Sequence, residues 1–264
     1  MTRRFWKYCI AGRGKFFEGD FMNNQFVGDV GDYTKLGILR ALEKADFSVG
    51  INWYKTPDDR SKTGGSHTAF LDYEGKQPDS DLLKTLREIK EKKRPRTLES
   101  LMDSTLFTRA IYYDEELNFF PGKDPKTERK RWHELALEKL QSQDIIFLDP
   151  DNAFETKHIK PHHKKGSLYA GYEEAADYYR AGKSVIVYNH LSMRSAKKKF
   201  IENRLCPILN HVSAADIFYV EANRFQVRYY LFISQPKHTN KIQMTLDEML
   251  KMGWEQYIKK YEKL

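Results

Sequence analysis

Cysteine is scarce in this sequence, which contains only Cys9 and Cys206 among its 264 residues. The two lie far apart, and neither belongs to a Cys-x-x-Cys or Cys/His pattern, so we expect neither a structural zinc site nor a disulfide framework. Long apolar runs are missing as well, because no stretch approaches the ~20 residues that a membrane span needs. Residues 1–20 are too polar for the apolar core of a signal peptide. These absences predict a soluble, cytoplasmic protein without a membrane partner.

Apolar side chains make up 40% of the sequence and aromatic ones 14%, which suffices for a substantial core. The formal net charge is +8, and basic residues gather at 90–96, 157–165 and 197–199. An excess of positive charge favours a polyanionic partner, so we expect a nucleic acid, either RNA or DNA, to bind. The side chains expected to guide its phosphate backbone are Lys157, Lys160, Lys164, Lys165, Arg194, Lys197 and Lys198.

The chain contains no repeat, low-complexity tract or long linker, so we predict a single α/β domain over residues 1–264. Within it, we expect residues 1–45 to border the pocket as a helical segment and 46–236 to form the core. A C-terminal helix is predicted within 237–264, covering 245–261. Strand-like apolar runs alternate with helical patterns, which implies crossover connections between parallel strands. The expected fold is a Rossmann-like, three-layer α/β/α sandwich around a mostly parallel sheet.

Polar clusters follow three of the predicted strands, at 52–59, 149–155 and 189–194. Ligands of such sheets bind outside the carboxyl ends of the strands, so the three clusters should meet along one edge. The middle cluster begins with Asp-Pro-Asp-Asn directly after the apolar run 145–148. We therefore expect a site there, with catalytic residues Asp149, Asp151, Asn152 and His190 and with cofactor contacts from Asn52, Asp58 and Asp59.

The order of four segments resembles a known enzyme family. GDVGDYTKLGILRAL lies near the start, LDPDNAFE follows a long middle section, and VIVYNHLS and SQPKH come later. This arrangement is similar to that of the bacterial large-subunit ribosomal RNA adenine-N6 methyltransferases. The resemblance implies a methyltransferase-type sheet, S-adenosylmethionine as cofactor and N-methylation of nucleic acid. It also implies that Gly28, Asp32 and Lys35 border the cofactor pocket.

The resemblance further implies that Asp149 and Pro150 match the first half of the family's catalytic Asp-Pro-Pro-Tyr motif. In that chemistry the carboxylate accepts a hydrogen bond from the exocyclic amine of the extruded base, and the aromatic residue stacks on the base. Here Asp151 and Asn152 replace the second proline and the aromatic, and Phe154 or Tyr188 could replace the aromatic by position.

The family's glycine-rich turn after the first strand is also replaced. The sequence has NWYKTPDDRSKTGG at this place, and its glycines, Gly64 and Gly65, come late. Without a glycine at the tight turn, we expect side chains to crowd the adenosyl pocket. Asp58 or Asp59 would hold the ribose hydroxyls.

Two other hypotheses remain open. The first is a Mg²⁺-dependent nuclease, because Asp149, Asp151 and Glu155 are oxygen ligands of the kind that Mg²⁺ prefers and Lys157 completes a Glu-x-Lys pair of the kind found in nucleases. The second hypothesis is a catalytically silent module that binds nucleic acid or a nucleotide. The methyltransferase hypothesis requires no metal ion.

Overall fold

The computed structural model describes residues 27–56, 68–72, 77–91, 93, 97–117, 122–191, 196–213, 215–224 and 226–264. Nine strands lie in this part of the chain: β1 Val49–Asn52, β2 Ile111–Tyr113, β3 Ile145–Leu148, β4 Ala153–Phe154, β5 Tyr169–Ala170, β6 Ser184–His190, β7 Asp216–Ala222, β8 Arg228–Ser234 and β9 Glu262–Lys263. Its α-helices are α1 Val30–Lys44, α2 Ser80–Lys90, α3 Leu98–Met102, α4 Pro125–Lys139, α5 Tyr172–Arg180, α6 Lys197–Phe200 and α7 Pro236–Lys251.

Seven of the strands form one sheet in the order β2-β1-β3-β6-β8-β7-β9, while β4 and β5 pair separately. The first four are parallel to one another. Strand β8 runs antiparallel to both of its neighbours, so β7 points in the same direction as β6. The mostly parallel sheet predicted from the sequence is therefore confirmed.

The two faces of the sheet bury separate apolar clusters, and β3 shows how. Ile145 and Phe147 join the cluster formed with α1, α2, α3 and α7. Ile146 and Leu148 point to the opposite cluster, which contains residues of α4, α5 and α6. This alternation follows from the two-residue period of a strand buried on both faces. Helices thus cover both faces, which confirms the three-layer α/β/α sandwich.

A crevice is expected between β1 and β3. From β1 the chain leads to β2 on one side, and from β3 it leads to β6 on the other. Connections that diverge from two neighbouring strands open a crevice at the carboxyl ends of those strands, which is where ligands of open α/β sheets bind. The carboxyl ends of β1 and β3 are Asn52 and Leu148. The residues after these two positions are therefore the first candidates for a site.

Helix α1 begins at a strong N-cap. The Asp29 carboxylate accepts hydrogen bonds from the backbone N–H groups of Gly31, at 2.7 Å, and Asp32, at 3.1 Å. Such a cap satisfies N–H groups that the first helical turn leaves unpaired. Tyr33, Leu36 and Leu39 recur at helical spacing and are fully buried in the apolar cluster on this face of the sheet. The N-terminal turn of α1 is thereby fixed over the strand ends.

Gly37 allows α1 to lie directly against Trp254. A Cβ at this position would overlap the indole ring. Alanine favours a helix over glycine by only about 1 kcal/mol, whereas overpacking a filled core costs about 1–3 kcal/mol. We therefore expect Gly37→Ala to lower the free energy of unfolding by about 1 kcal/mol or more in urea titrations. Trp254→Phe in the same background should recover part of the loss, and a Gly37→Ala variant more stable than the parent protein would contradict this packing.

The C-terminal region differs from the prediction. Helix α7 runs over Pro236–Lys251 rather than 245–261, and the chain ends in β9 on the edge of the sheet. Pro236 occupies the first helical position, a start signal that the sequence argument overlooked. Gly253 has φ +99°, which ends the helix because this left-handed conformation suits glycine. In the part of the chain described, no helix combines the length and apolarity required to cross a bilayer.

Candidate functional site

A small polar cavity lies at the carboxyl ends of the strands. Its volume is about 60 Å³. Helix α1 contributes its first turns, β3 leads into Asp149, β6 ends at His190, and β8 begins at Arg228 because it is antiparallel to β6. The cavity is lined by Asp29, Gly31, Asp32, Lys35, Asp149, Asp151, Tyr188, His190, Gln226 and Arg228.

Lys35 joins the helix to the strand-end motif. Its Nζ lies 2.6 Å from Oδ2 of Asp149 and 2.9 Å from Oδ1 of Asp32. The backbone N–H of Gly28 donates to the other oxygen of Asp32 at 2.6 Å. All three charged side chains are more than nine-tenths buried. The structure therefore brings together Gly28, Asp32, Lys35 and Asp149, which the sequence had assigned to one pocket across a separation of 114 residues.

Burial and charge act in opposite directions on this triad. Burial raises the pKa of Asp149 to about 6, although the neighbouring Lys35 ammonium lowers it. The pKa of Asp32 is also raised by burial. Burial alone would lower the pKa of Lys35, but the two carboxylates hold it well above its usual value. Lys35 is thus charged at neutral pH, while Asp149 changes its protonation close to neutrality.

A second group lines the other wall of the cavity. Arg228 Nε donates to the Tyr188 hydroxyl at 3.3 Å, and the same hydroxyl lies 3.4 Å from His190 Nδ1. The carboxylate of Asp29 is 4.0 Å from the Arg228 guanidinium. Burial, together with the nearby Arg228 guanidinium, lowers the pKa of His190 to about 4. His190 is therefore neutral at pH 7 and offers the cavity an uncharged imidazole.

The lining is acidic overall. With all four aspartates ionised and His190 neutral, four carboxylates and two cations give a formal charge of −2. This balance favours a ligand group that carries positive charge. The cavity volume corresponds to about two water molecules, at roughly 30 Å³ each, so it accommodates the end of a ligand rather than a whole nucleoside.

Asp151 lines the cavity, whereas Asn152 serves the backbone around it. The N–H of Asn152 donates to Leu168 O at 3.1 Å, and the carbonyl of Asn152 accepts from the N–H of His190. Phe154 is fully buried and stacks on Tyr172 at 4.5 Å between ring centroids. Of the two aromatic candidates, only Tyr188 lies at the cavity.

Of the cofactor contacts predicted around the end of β1, only Asn52 lies among the described residues. Asn52 does not line the cavity, because its amide donates to the Tyr178 hydroxyl at 3.4 Å and its side-chain oxygen accepts from Tyr54 N. Asp58 and Asp59 lie outside the described residues. Tyr54 has φ +48°, a left-handed conformation that strains an aromatic residue by about 1–3 kcal/mol. The chain therefore makes its turn after β1 with a tyrosine, where the family that it resembles uses glycine.

The predicted phosphate-contacting lysines are on the surface. Lys157, Lys160, Lys164 and Lys165 are exposed in the segment between β4 and β5. Lys160 forms a salt bridge with Glu155 at 2.6 Å, and Lys197 pairs with the buried Glu221. Lys198 lies 4.0 Å from Glu202. Arg194 lies outside the described residues, so the described part of this surface is basic but partly neutralised by internal salt bridges.

The alternative metal site is not assembled. Glu155 accepts hydrogen bonds from Lys160 and from the N–H of Tyr172 rather than facing Asp149 and Asp151. Among the described residues, no group of three or more histidine, cysteine, aspartate or glutamate side chains is placed to hold a metal ion. The structure therefore does not bring Asp149, Asp151 and Glu155 together as a ligand set, because Glu155 is bound to Lys160 and to the backbone of Tyr172.

Sequence reasoning missed Asp29, Gln226 and Arg228. Arg228 follows a loop and opens an otherwise apolar strand, and such a charged residue in a buried strand is a signal that could have been used. Its place at the site depends on the reversal of β8, which the residue pattern does not reveal. Asp29 could have been found as a helix N-cap preceding the Asp32–Lys35 pair.

A larger groove lies at the opposite end of the sheet, beside the amino ends of β3 and β6. Its volume is about 530 Å³, and it is formed by the C-terminal halves of α4 and α5 and by Lys183, which precedes β6. It shares no residue with the cavity around Asp149. Its walls lack the cluster of buried charges that marks the smaller cavity, so we place the candidate chemistry at the smaller one.

No family model matches the chain. A partial similarity links it to GTPase Era of Elusimicrobium minutum (strain Pei191), with 34% identity over 103 residues. The matched region is 38% of this chain, and the chain spans only 33% of the length of that relative.

Proposed function

We propose that the protein is a nucleic-acid-modifying enzyme, an S-adenosylmethionine-dependent N-methyltransferase that uses Asp-Pro-Asp-Asn in place of Asp-Pro-Pro-Tyr. The observation that carries this proposal is the contact between Lys35 and Asp149, at 2.6 Å. It joins the helix that the resemblance assigns to the cofactor pocket with the strand-end motif that it assigns to catalysis. Both lie beside the crevice at which open α/β sheets bind their ligands.

The sheet topology supports the same proposal. Strand β8 is antiparallel and lies between β6 and β7, which run parallel to each other. A reversed strand inserted at this place is typical of class I methyltransferase sheets. Because many functions share a fold, the topology supports the proposal only together with the site.

The charges at the cavity fit the amino-acid end of the cofactor. S-adenosylmethionine carries a sulfonium, an ammonium and a carboxylate, so the acidic lining would attract its two cations and Arg228 would bind its carboxylate. The cavity formed by the described residues has room for one charged group of this end and not for the adenosine. When bound, the cofactor supplies an electrophilic methyl group.

Asp149 is the residue that would orient the target amine. Lys35 binds its Oδ2, and Oδ1 has no hydrogen-bond donor among the residues that the structure describes. Oδ1 can therefore accept a hydrogen bond from an amine N–H, while Lys35 favours the ionised form of the carboxylate. Tyr188 lines the same cavity and takes the place of the missing motif aromatic in this proposal. The exposed lysines between β4 and β5 would contact the phosphate backbone.

We do not propose nucleotide hydrolysis from the similarity to part of GTPase Era. The one Gly-Lys-Ser in the chain is Gly182–Ser184, and Asp177 stands where a phosphate-binding P-loop has its first glycine. This segment also leads from α5 into β6, whereas a P-loop leads from a strand into a helix. Ser184 Oγ is bound to His238 Nδ1 at 2.9 Å.

Calorimetry with S-adenosylmethionine in the presence of EDTA tests the proposal. We expect one cofactor to bind per chain without metal, and Arg228→Gln to weaken binding by about ten-fold, the loss of one charged contact of ~1.5 kcal/mol. Lys198→Gln, on the exposed surface, is the matched control and should bind as the parent protein does. No binding, together with cleavage of nucleic acid in Mn²⁺, would favour the nuclease. Salt-sensitive binding of nucleic acid without turnover would favour the silent module.

A further inference from the structure

A buried ion pair joins helices α4 and α5 near the site. Arg129 of α4 binds Glu174 of α5 through Nε at 2.5 Å and Nη2 at 2.8 Å. Both side chains are at least nine-tenths buried, and neither lines the cavity. Burial alone would raise the pKa of Glu174, but the Arg129 guanidinium lowers it to about 2. The pair is thus ionised at any physiological pH.

This pair holds the turn after β1. The Tyr54 hydroxyl donates to Glu174 Oε2 at 3.0 Å, and the Arg129 guanidinium lies 5.2 Å from the centre of the Tyr54 ring. The ring packs edge-on against Trp132. Tyr54 is the residue with φ +48°, directly after Trp53, whose ring lies beneath Lys35 at 5.6 Å. The network therefore stabilises a left-handed conformation that glycine would adopt unaided.

The same pair holds the turn after β3. Arg129 Nη2 also donates to Tyr169 O at 2.9 Å. Leu168 O and Ala170 O, on either side of that carbonyl, accept the N–H groups of Asn152, at 3.1 Å, and Glu155, at 2.8 Å. The segment that receives the Asp-Pro-Asp-Asn turn is thus bound to the guanidinium that also supports Tyr54. One ion pair supports both loops that border the crevice between β1 and β3.

We propose that Arg129 and Glu174 are positioning residues of the site, which fix the loops after β1 and β3 and replace the missing glycine-rich turn. Glu174 reaches the first loop through Tyr54, and Arg129 reaches the second through Tyr169. The inference rests on the proposed function only where it concerns the cofactor. The conformation of the two loops can be tested without any ligand.

Tyr54→Phe is the mildest test, because it keeps the ring and removes only the hydroxyl. In the free protein we expect hydrogen exchange at the amides of Trp53 and Asp149, which bond across the strand ends, to become about ten-fold faster. Exchange in β7 and β8 should not change. Glu174→Gln should have the same local effect, and its neighbour Glu173→Gln, an exposed carboxylate paired with Arg180, is the matched control. Unchanged exchange at both loops in Tyr54→Phe would overturn the inference.

Cofactor affinity provides the second measurement. Glu174→Gln should weaken S-adenosylmethionine binding by about ten-fold or more, since misplaced binding groups lose affinity. In a Tyr54→Gly background, where the turn needs no anchor, the same substitution should have a much smaller effect. Equal effects in both backgrounds would contradict a role through Tyr54. If the parent protein binds no cofactor, the proposed function fails, while the exchange data still decide whether the pair positions the loops.

Discussion

Lys35→Met should lower the free energy of unfolding at pH 8 by about 3–5 kcal/mol. The substitution leaves Asp32 and Asp149 buried with no cation between them, and an uncompensated buried charge costs far more than the modest net gain of an intact pair. Methionine has nearly the length of the lysine stem, so the loss of packing is small. Chemical unfolding at pH 8 gives the value directly.

The pH dependence separates charge from packing in this variant. Without Lys35, both carboxylates bind protons more tightly in the folded state, so the deficit should shrink as the pH is lowered towards 4. A deficit that stays constant between pH 4 and pH 8 would show that packing, not charge, is responsible. Lys44→Met is the matched control on the same helix. Lys44 is two-thirds exposed and its nearest carboxylate is 4.0 Å away, so we expect a change within about 0.5 kcal/mol.

Asp149→Asn should separate function from stability. We expect methyl transfer to fall by at least about a hundred-fold, because the neutral amide oxygen is a weaker hydrogen-bond acceptor than a carboxylate and cannot take up the amine proton. Stability should not fall with activity. Burial raises the pKa of Asp149 from 3.8 to about 6, so the folded state holds this proton more tightly than the unfolded state does. The protonated Asp149 therefore contributes up to about 3 kcal/mol to the free energy of unfolding. This contribution is fully present below pH 4 and is lost as the pH rises through 6.

The neutral asparagine does not titrate, so the variant should gain stability relative to the parent protein between pH 4 and pH 7. Urea titrations at both pH values measure the difference, and activity is measured on the same preparations. Asp177→Asn is a suitable control, since Asp177 is remote from the cavity and its pKa is lowered by His133. Full activity in Asp149→Asn would remove this carboxylate from the chemistry.

The fold could be predicted further than the site. Apolar runs such as 145–148 identify buried strands by themselves, and the helical stretches between them imply parallel crossovers. The order in which the strands pair, and the reversal of β8 that brings Arg228 to the cavity, depend on contacts between distant residues. The C-terminal helix was misplaced because Pro236 was not recognised as its start.

For the site, the placement of Asp32 and Lys35 beside the pocket that contains Asp149 followed from a family resemblance rather than from spacing. The cost of burying these charges explains why they meet, but many carboxylates in the chain could have satisfied Lys35. The left-handed turn at Tyr54 could not be predicted from the residue pattern. Its left-handed backbone becomes intelligible only when the Arg129–Glu174 pair beneath it is seen.

The C-terminal segment that differed from the prediction has a consequence for self-association. Residues 258–264 run along β7, with backbone contacts at Ile217, Phe218, Tyr219, Glu221 and Ala222. A long strand with open N–H and C=O groups is a template on which another chain can add, and natural sheets protect such edges. Here the protein's own tail occupies that edge. Removing the tail should expose the seven residues of β7 as an open strand edge and promote aggregation.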